Sequence, residues 1–162
     1  MHTRSRIRRS LTGALLATSA CALALTIGTA GASGSTAGAA RTISLNDTAH
    51  LHRTSSHGFN LYESGSASGS LGGSITLHLD VVSTNRVTAQ ITVHPSGGGS
   101  INGSASGSYR NNGSTASFSG TMSITSGSGS YSGSHGSGLS FSGTIQRTTD
   151  AVTVHVSGHF AS

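Results

Sequence analysis

The sequence has no lysine and no tryptophan, a single proline and a single cysteine. It carries only four acids, Asp47, Glu63, Asp80 and Asp150. Each shortage excludes something. One cysteine cannot make an intramolecular disulfide, so the fold must rest on strand pairing and burial. Four scattered acids give no motif for paired-carboxylate chemistry such as glycoside hydrolysis. Without lysine, the Gly127-x-Gly129 step is not a phosphate loop, and no helix pattern follows it. Serine is abundant, but no G-x-S-x-G elbow stands between a strand and a helix. The usual catalytic kits are absent.

What is present begins with an export-like leader over residues 1–40. Arg4, Arg6, Arg8 and Arg9 form a basic start, and residues 11–27 form a short apolar run rich in Leu, Ala and Thr. Small residues follow, with A-x-A steps at Ala30-Gly31-Ala32 and Ala37-Gly38-Ala39. The run is too short and too interrupted for a retained membrane anchor. The predicted localisation is therefore secreted, by the ordinary secretory route. The twin-arginine route is the alternative, since Arg8 and Arg9 are adjacent but Ile7 stands where that signal has a polar residue. Cys21 lacks a lipid-attachment context and is expected to leave with the leader. Cleavage would also remove four of the nine arginines, leaving five against four acids. The basic balance of the whole chain is then no argument for nucleic-acid binding.

Residues 41–57 are polar, with Ile43, Leu45 and Leu51 in no clean period, and read as an N-terminal arm with one short edge strand at most. From residue 58 to 162 the period is two. Ile75, Leu77, Leu79 and Val81 alternate with polar residues, then Val87, Ala89, Ile91 and Val93 return after the Ser83-Thr84-Asn85-Arg86 turn. Ala116, Phe118, Met122 and Ile124 form another such face, as do Leu139, Phe141 and Ile145, and finally Val152, Val154, Val156 and Phe160. Residues 131–137 read as a further short strand. Pro95 and Gly97-Gly98-Gly99 end one hairpin, and Asn112-Gly113 suits a tight turn. About eight strands at this spacing predict an all-β, antiparallel, closed or nearly closed barrel, with a β-sandwich as the alternative. Closure would spare a weakly charged Gly/Ser chain its sticky edges.

Several hairpins are written alike: GSASGS occurs at 65–70 and 103–108, and SFSGT at 117–121 and 140–144. Residues 125–138, TSGSGSYSGSHGSG, with the LSFSGTIQRTTDAVTVHVSG that follows, resemble a hairpin of secreted actinobacterial Gly/Ser-rich β-barrel proteins. These in turn look like distant relatives of the allene oxide cyclase and dirigent barrels. The matching residues are Gly127, Ser128, Gly129, Tyr131, Ser134, Gly136 and Gly138. The resemblance implies an eight-stranded antiparallel barrel whose interior holds a small apolar ligand. It carries over no catalytic residue.

The expected ligand-binding residues are Leu77, Ile91, Phe118, Phe141 and Val154, on the apolar phase of their strands. Histidine is the other conspicuous type. His78, His94 and His155 fall on the polar phase and are the available metal ligands, provided that their strands are neighbours. His155 and His159 share a face but stand roughly 13 Å apart. His50, His52 and His57 cluster in the arm. On solvated strands such histidines are ordinary surface residues, so no metal and no cofactor is expected. The functional expectation is non-enzymatic binding of a small hydrophobic molecule. The alternatives are a structural or cell-surface domain that self-associates through its Ser/Thr faces, and an isomerase or cyclase of the allene oxide cyclase or dirigent type.

Overall fold

The computed structural model describes residues 40–162, and the leader expected over residues 1–40 lies outside them except for Ala40. Eight antiparallel strands follow one another around a closed barrel: β1 (Thr42–His57), β2 (Asn60–Gly69), β3 (Gly73–Ser83), β4 (Arg86–His94), β5 (Ser100–Asn112), β6 (Thr115–Ser128), β7 (Gly136–Gln146) and β8 (Ala151–Ala161). Each strand pairs with its sequence neighbours, and β1 closes on β8. Among the described residues, every strand and both clusters of buried apolar residues fall within residues 42–161, and these close the barrel.

The arm is not an arm. Thr42–His57 is the longest strand, paired with β2 on one side and along Thr42 to His52 with β8 on the other. Its inward residues are Leu45, Asp47, Ala49, Leu51 and Arg53, so two charged side chains occupy the inner phase and mask its period. Residues 131–135, by contrast, do not make a strand, and Gly136 and Ser137 already belong to β7. A 3-10 turn at Gly129–Tyr131 and positive φ at Gly129 and Gly133 turn the chain across one end of the barrel. Before β7 begins at Gly136, His135 makes a single bridge to Ala161.

The wall is unusually rich in glycine, and the interior shows why. Across neighbouring strands Gly107 pairs with Gly120 and Gly120 with Phe141, while Phe118 pairs with Gly143. The Phe141 ring lies over Gly107, where a Cβ would fall 2.9 Å from its Cζ, and the Phe118 ring lies over Gly143. The two rings meet with centroids 6.1 Å apart and planes tilted by 43°, within the range of favourable aromatic pairs. Glycines weaken isolated strands, but here they make room for the largest side chains of a narrow bore.

Outside, the same strands carry hydroxyls. Thr88, Ser106, Thr121, Ser140 and Ser157 stand opposite one another in one unbroken row across five strands. The barrel is apolar within and hydroxylated without, the reverse of a membrane-spanning barrel, whose outer band is apolar. Among the described residues no helix is long and apolar enough to cross a membrane.

A Cβ at position 143 would collide with the Phe118 ring and the Thr153 carbonyl. Gly143→Ala is therefore expected to destabilise the fold by about 1–3 kcal/mol, the usual cost of overpacking. Urea unfolding should show partial recovery in Gly143→Ala combined with Phe118→Leu, and purely additive effects would refute the steric account.

Candidate functional site

The five residues expected to bind a ligand do converge. Leu77, Ile91, Phe118, Phe141 and Val154 all line one interior cavity with apolar neighbours from every strand. Its free volume is about 80 Å³, several-fold below the hundreds of Å³ of an ordinary small-molecule pocket. These side chains are mainly a packed core with some slack. Asp47 is its only charged wall residue, and its carboxylate serves the β2–β3 turn. The Leu71 N–H donates to Oδ1 and Oδ2 at 3.2 Å each, and the Gly72 N–H donates to Oδ2 at 3.3 Å. That anchor folds Leu71 inward beside Ile101, Ile124, Leu139 and Phe160, which plugs this end.

The opposite end is open. There the β1–β2, β3–β4, β5–β6 and β7–β8 turns surround a cup of about 280 Å³. Its apolar wall is Leu61, Leu79, Val81, Val87, Phe118 and Ile145, and its polar members are Arg53, Tyr109, Arg147 and Asp150. Two strand irregularities lie at this rim, between Arg53 and Ser55 and between Val81 and Ser83, and two lie away from it, between Asn102 and Gly103 and between Met122 and Ile124. Phe118 is the one residue of the expected five that reaches the cup.

Charge at the rim is organised around Arg53. Its Nη1 lies 3.0 Å from Asp150 Oδ1, and its Nε lies 3.9 Å from Glu63 Oε1. Asp150 adopts a left-handed backbone, φ 55°, at the β7–β8 turn, a conformation uncommon outside glycine that Asp tolerates better than most. Arg147 donates through Nη1 to Asn111 Oδ1 and to the Gly113 carbonyl, both at 3.2 Å. Neutral acceptors thus fix its guanidinium beside the cup. Glu63 sits one inward step deeper than Leu61 with its side chain 2% exposed, and its Oε2 has no hydrogen-bond partner. Burial pushes its carboxyl above the ordinary value, Arg53 opposes the shift and Asp150 adds to it.

The histidines stay apart. His78 on β3 stacks on Tyr62 at 4.4 Å between centroids and meets Asn60 Oδ1 at 3.1 Å. His94 ends β4, opposite Ser74. His155 on β8 contacts Thr48 Oγ1 through Nδ1 at 3.1 Å, and His50 contacts Thr153. The structure does not bring His78, His94 and His155 together, and among the described residues no three His, Cys, Asp or Glu gather to hold a metal ion.

Arg53, Glu63, Tyr109, Arg147 and Asp150 escape a search for apolar binders or known motifs. Two of them do carry a signal: Arg53 follows Leu51 on the inner phase of β1, and Glu63 follows Leu61 on that of β2. A charged residue in an apolar phase marks a rim or a site. In comparisons with known proteins the chain matches no family model, no curated protein and no solved structure.

A carboxyl whose folded value lies above its unfolded one stabilises the fold in its protonated form. For Glu63 that contribution is complete below the ordinary pKa of 4.5 and is lost as pH rises through the raised value. Glu63→Gln should therefore raise the urea midpoint relative to wild type at neutral pH, with the gain shrinking as pH falls toward 4.5. A gain independent of pH would show that ionisation of Glu63 is not its source.

Proposed function

We propose that the protein is an exported barrel that binds a small apolar molecule with a polar end, without transforming it. The observation that carries this reading is the cup at the open mouth, about 280 Å³ of space with an apolar wall and a charged rim. Ligand sites commonly combine such a wall with a few fixed polar groups. The wall belongs to strands rather than loops, so the cup exists before any ligand arrives, which limits the ordering cost of binding. The polar end would meet Arg53, Arg147 and Tyr109, while the apolar body would lie against Leu61, Val81 and Phe118.

Kinship with the allene oxide cyclase and dirigent barrels is part of this proposal. The resemblance over residues 125–138 supports it, and the eight-stranded antiparallel closure is the architecture it implies. Export is likewise part of it, on the strength of the basic start and apolar run of residues 4–27. The competing structural role draws on the hydroxyl rows of the outer wall.

Anilinonaphthalene sulfonate, an apolar dye with an anionic end, is a suitable probe. Saturable binding is expected, weakened at least about tenfold by Leu61→Trp, which fills the cup. Ile124→Val, at the plugged end, should leave the affinity unchanged. Cooperative unfolding of each variant shows that it folds. Absence of saturable binding, or indifference to Leu61→Trp, would remove the ligand reading in favour of the structural one.

A further inference from the structure

The mouth end differs from the rest of the surface in two ways. The first is apolar exposure. Phe59, in the β1–β2 turn, is 75% exposed, and Val82 on β3 is 59% exposed. They are neighbours, because the Val81 N–H donates to the Phe59 carbonyl at 3.0 Å. That bond fixes the backbone, so the phenyl ring is held out in water by an ordered turn. The chain has four phenylalanines, and Phe118 and Phe160 are buried while Phe141 packs against the core.

The second is charge. Four of the five arginines among the described residues, Arg53, Arg86, Arg110 and Arg147, lie at this end, on β1, at the start of β4, near the end of β5 and in the β7–β8 turn. The ion pairs among the described residues involve Arg53 and His78, and none involves Arg86, Arg110 or Arg147. The acids offer little to oppose them. Asp47 is bound to the β2–β3 turn, Glu63 is buried, Asp80 stands 3.6 Å from His78 and Asp150 pairs with Arg53. One apolar prong and three uncompensated arginines thus share the rim, while the outer wall between the ends is largely hydroxyls.

We infer that this end of the barrel docks on an anionic lipid surface, with Phe59 and Val82 entering the headgroup layer and Arg86, Arg110 and Arg147 facing the phosphates. An apolar tip among arginines matches a surface that is negatively charged outside and apolar beneath. A nucleic acid or acidic polymer would satisfy the arginines and leave Phe59 and Val82 without a partner. Docking in this orientation turns the cup toward the bilayer. The inference rests on the rim alone and stands whether or not the cup binds a ligand.

Sedimentation of residues 40–162 with lipid vesicles tests it, since that segment holds the whole barrel and lacks the apolar leader. The barrel is expected to pellet with vesicles of phosphatidylcholine and phosphatidylglycerol in equal parts. It should stay in solution with phosphatidylcholine alone, and at high salt. Each arginine near such a surface contributes about 1 kcal/mol, or about fivefold in partition. Arg86→Gln with Arg110→Gln should therefore lower vesicle binding by about twentyfold or more. Phe59→Ser with Val82→Ser should lower it at least about tenfold, from the loss of buried apolar area. All four side chains are exposed, and unchanged unfolding midpoints will confirm that the variants fold. Failure to pellet with the anionic vesicles overturns the inference. So does full retention by the Phe59→Ser, Val82→Ser variant together with equal binding to single-stranded DNA, which would make the rim a simple polyanion site.

Discussion

Everything in this molecule depends on the ladder between β1 and β8. An open sheet of these strands would expose two long edges in a chain with few charges to protect them. Pairing Thr42–His52 against Ala151–Ala161 removes both edges, and it also creates the inside. Leu45, Ala49 and Leu51 then meet residues of the other strands across the bore instead of facing water. The inward faces of all eight strands meet in the bore only because the sheet closes.

Closure also divides labour between the ends. At one end Asp47 and the Gly129–Tyr131 turn hold apolar residues over the opening; at the other the turns stand back and leave a cup. The polar groups follow the same division. Asp47 is satisfied by backbone donors and acts as an anchor. Arg53, Asp150 and Glu63 form a chain of charges that reaches from the surface to a buried carboxylate. A buried carboxylate with one free oxygen costs stability, and that cost is concentrated at the open end.

The alternating strands were legible because a half-buried strand writes its two environments directly into the sequence, as in Ile75 to Val81 and Val87 to Val93. Legibility failed where that code was overwritten. On β1, Asp47 and Arg53 point inward, so a strand essential to closure looks like a polar arm. Over residues 131–137, alternating Ser, His and Gly imitate one strand, whereas positive φ at Gly129 and Gly133 bends the backbone away until β7 begins at Gly136. The strand count came out right with one member exchanged for another. The site was less legible than the fold. Which end is plugged depends on how turns such as Ser70-Leu71-Gly72 fold back, and apolar periodicity is silent about that. Searching the apolar phase for ligand residues found the core, because in a narrow barrel the middle layers are filled and space survives only at a rim.

The pairing of wall glycines with interior rings has a consequence for how such a protein can change. Phe118 and Phe141 occupy volume that belongs to no ladder hydrogen bond, and the strands beneath them are bare backbone at Gly107, Gly120 and Gly143. Shortening either ring would widen the bore without disturbing strand pairing, whereas a side chain added at one of those glycines would strike a carbonyl of the neighbouring strand. The lumen can thus vary through its rings while the wall stays fixed. A lineage of such barrels could drift from filled to hollow through single substitutions at Phe118 and Phe141 while its outline stayed the same.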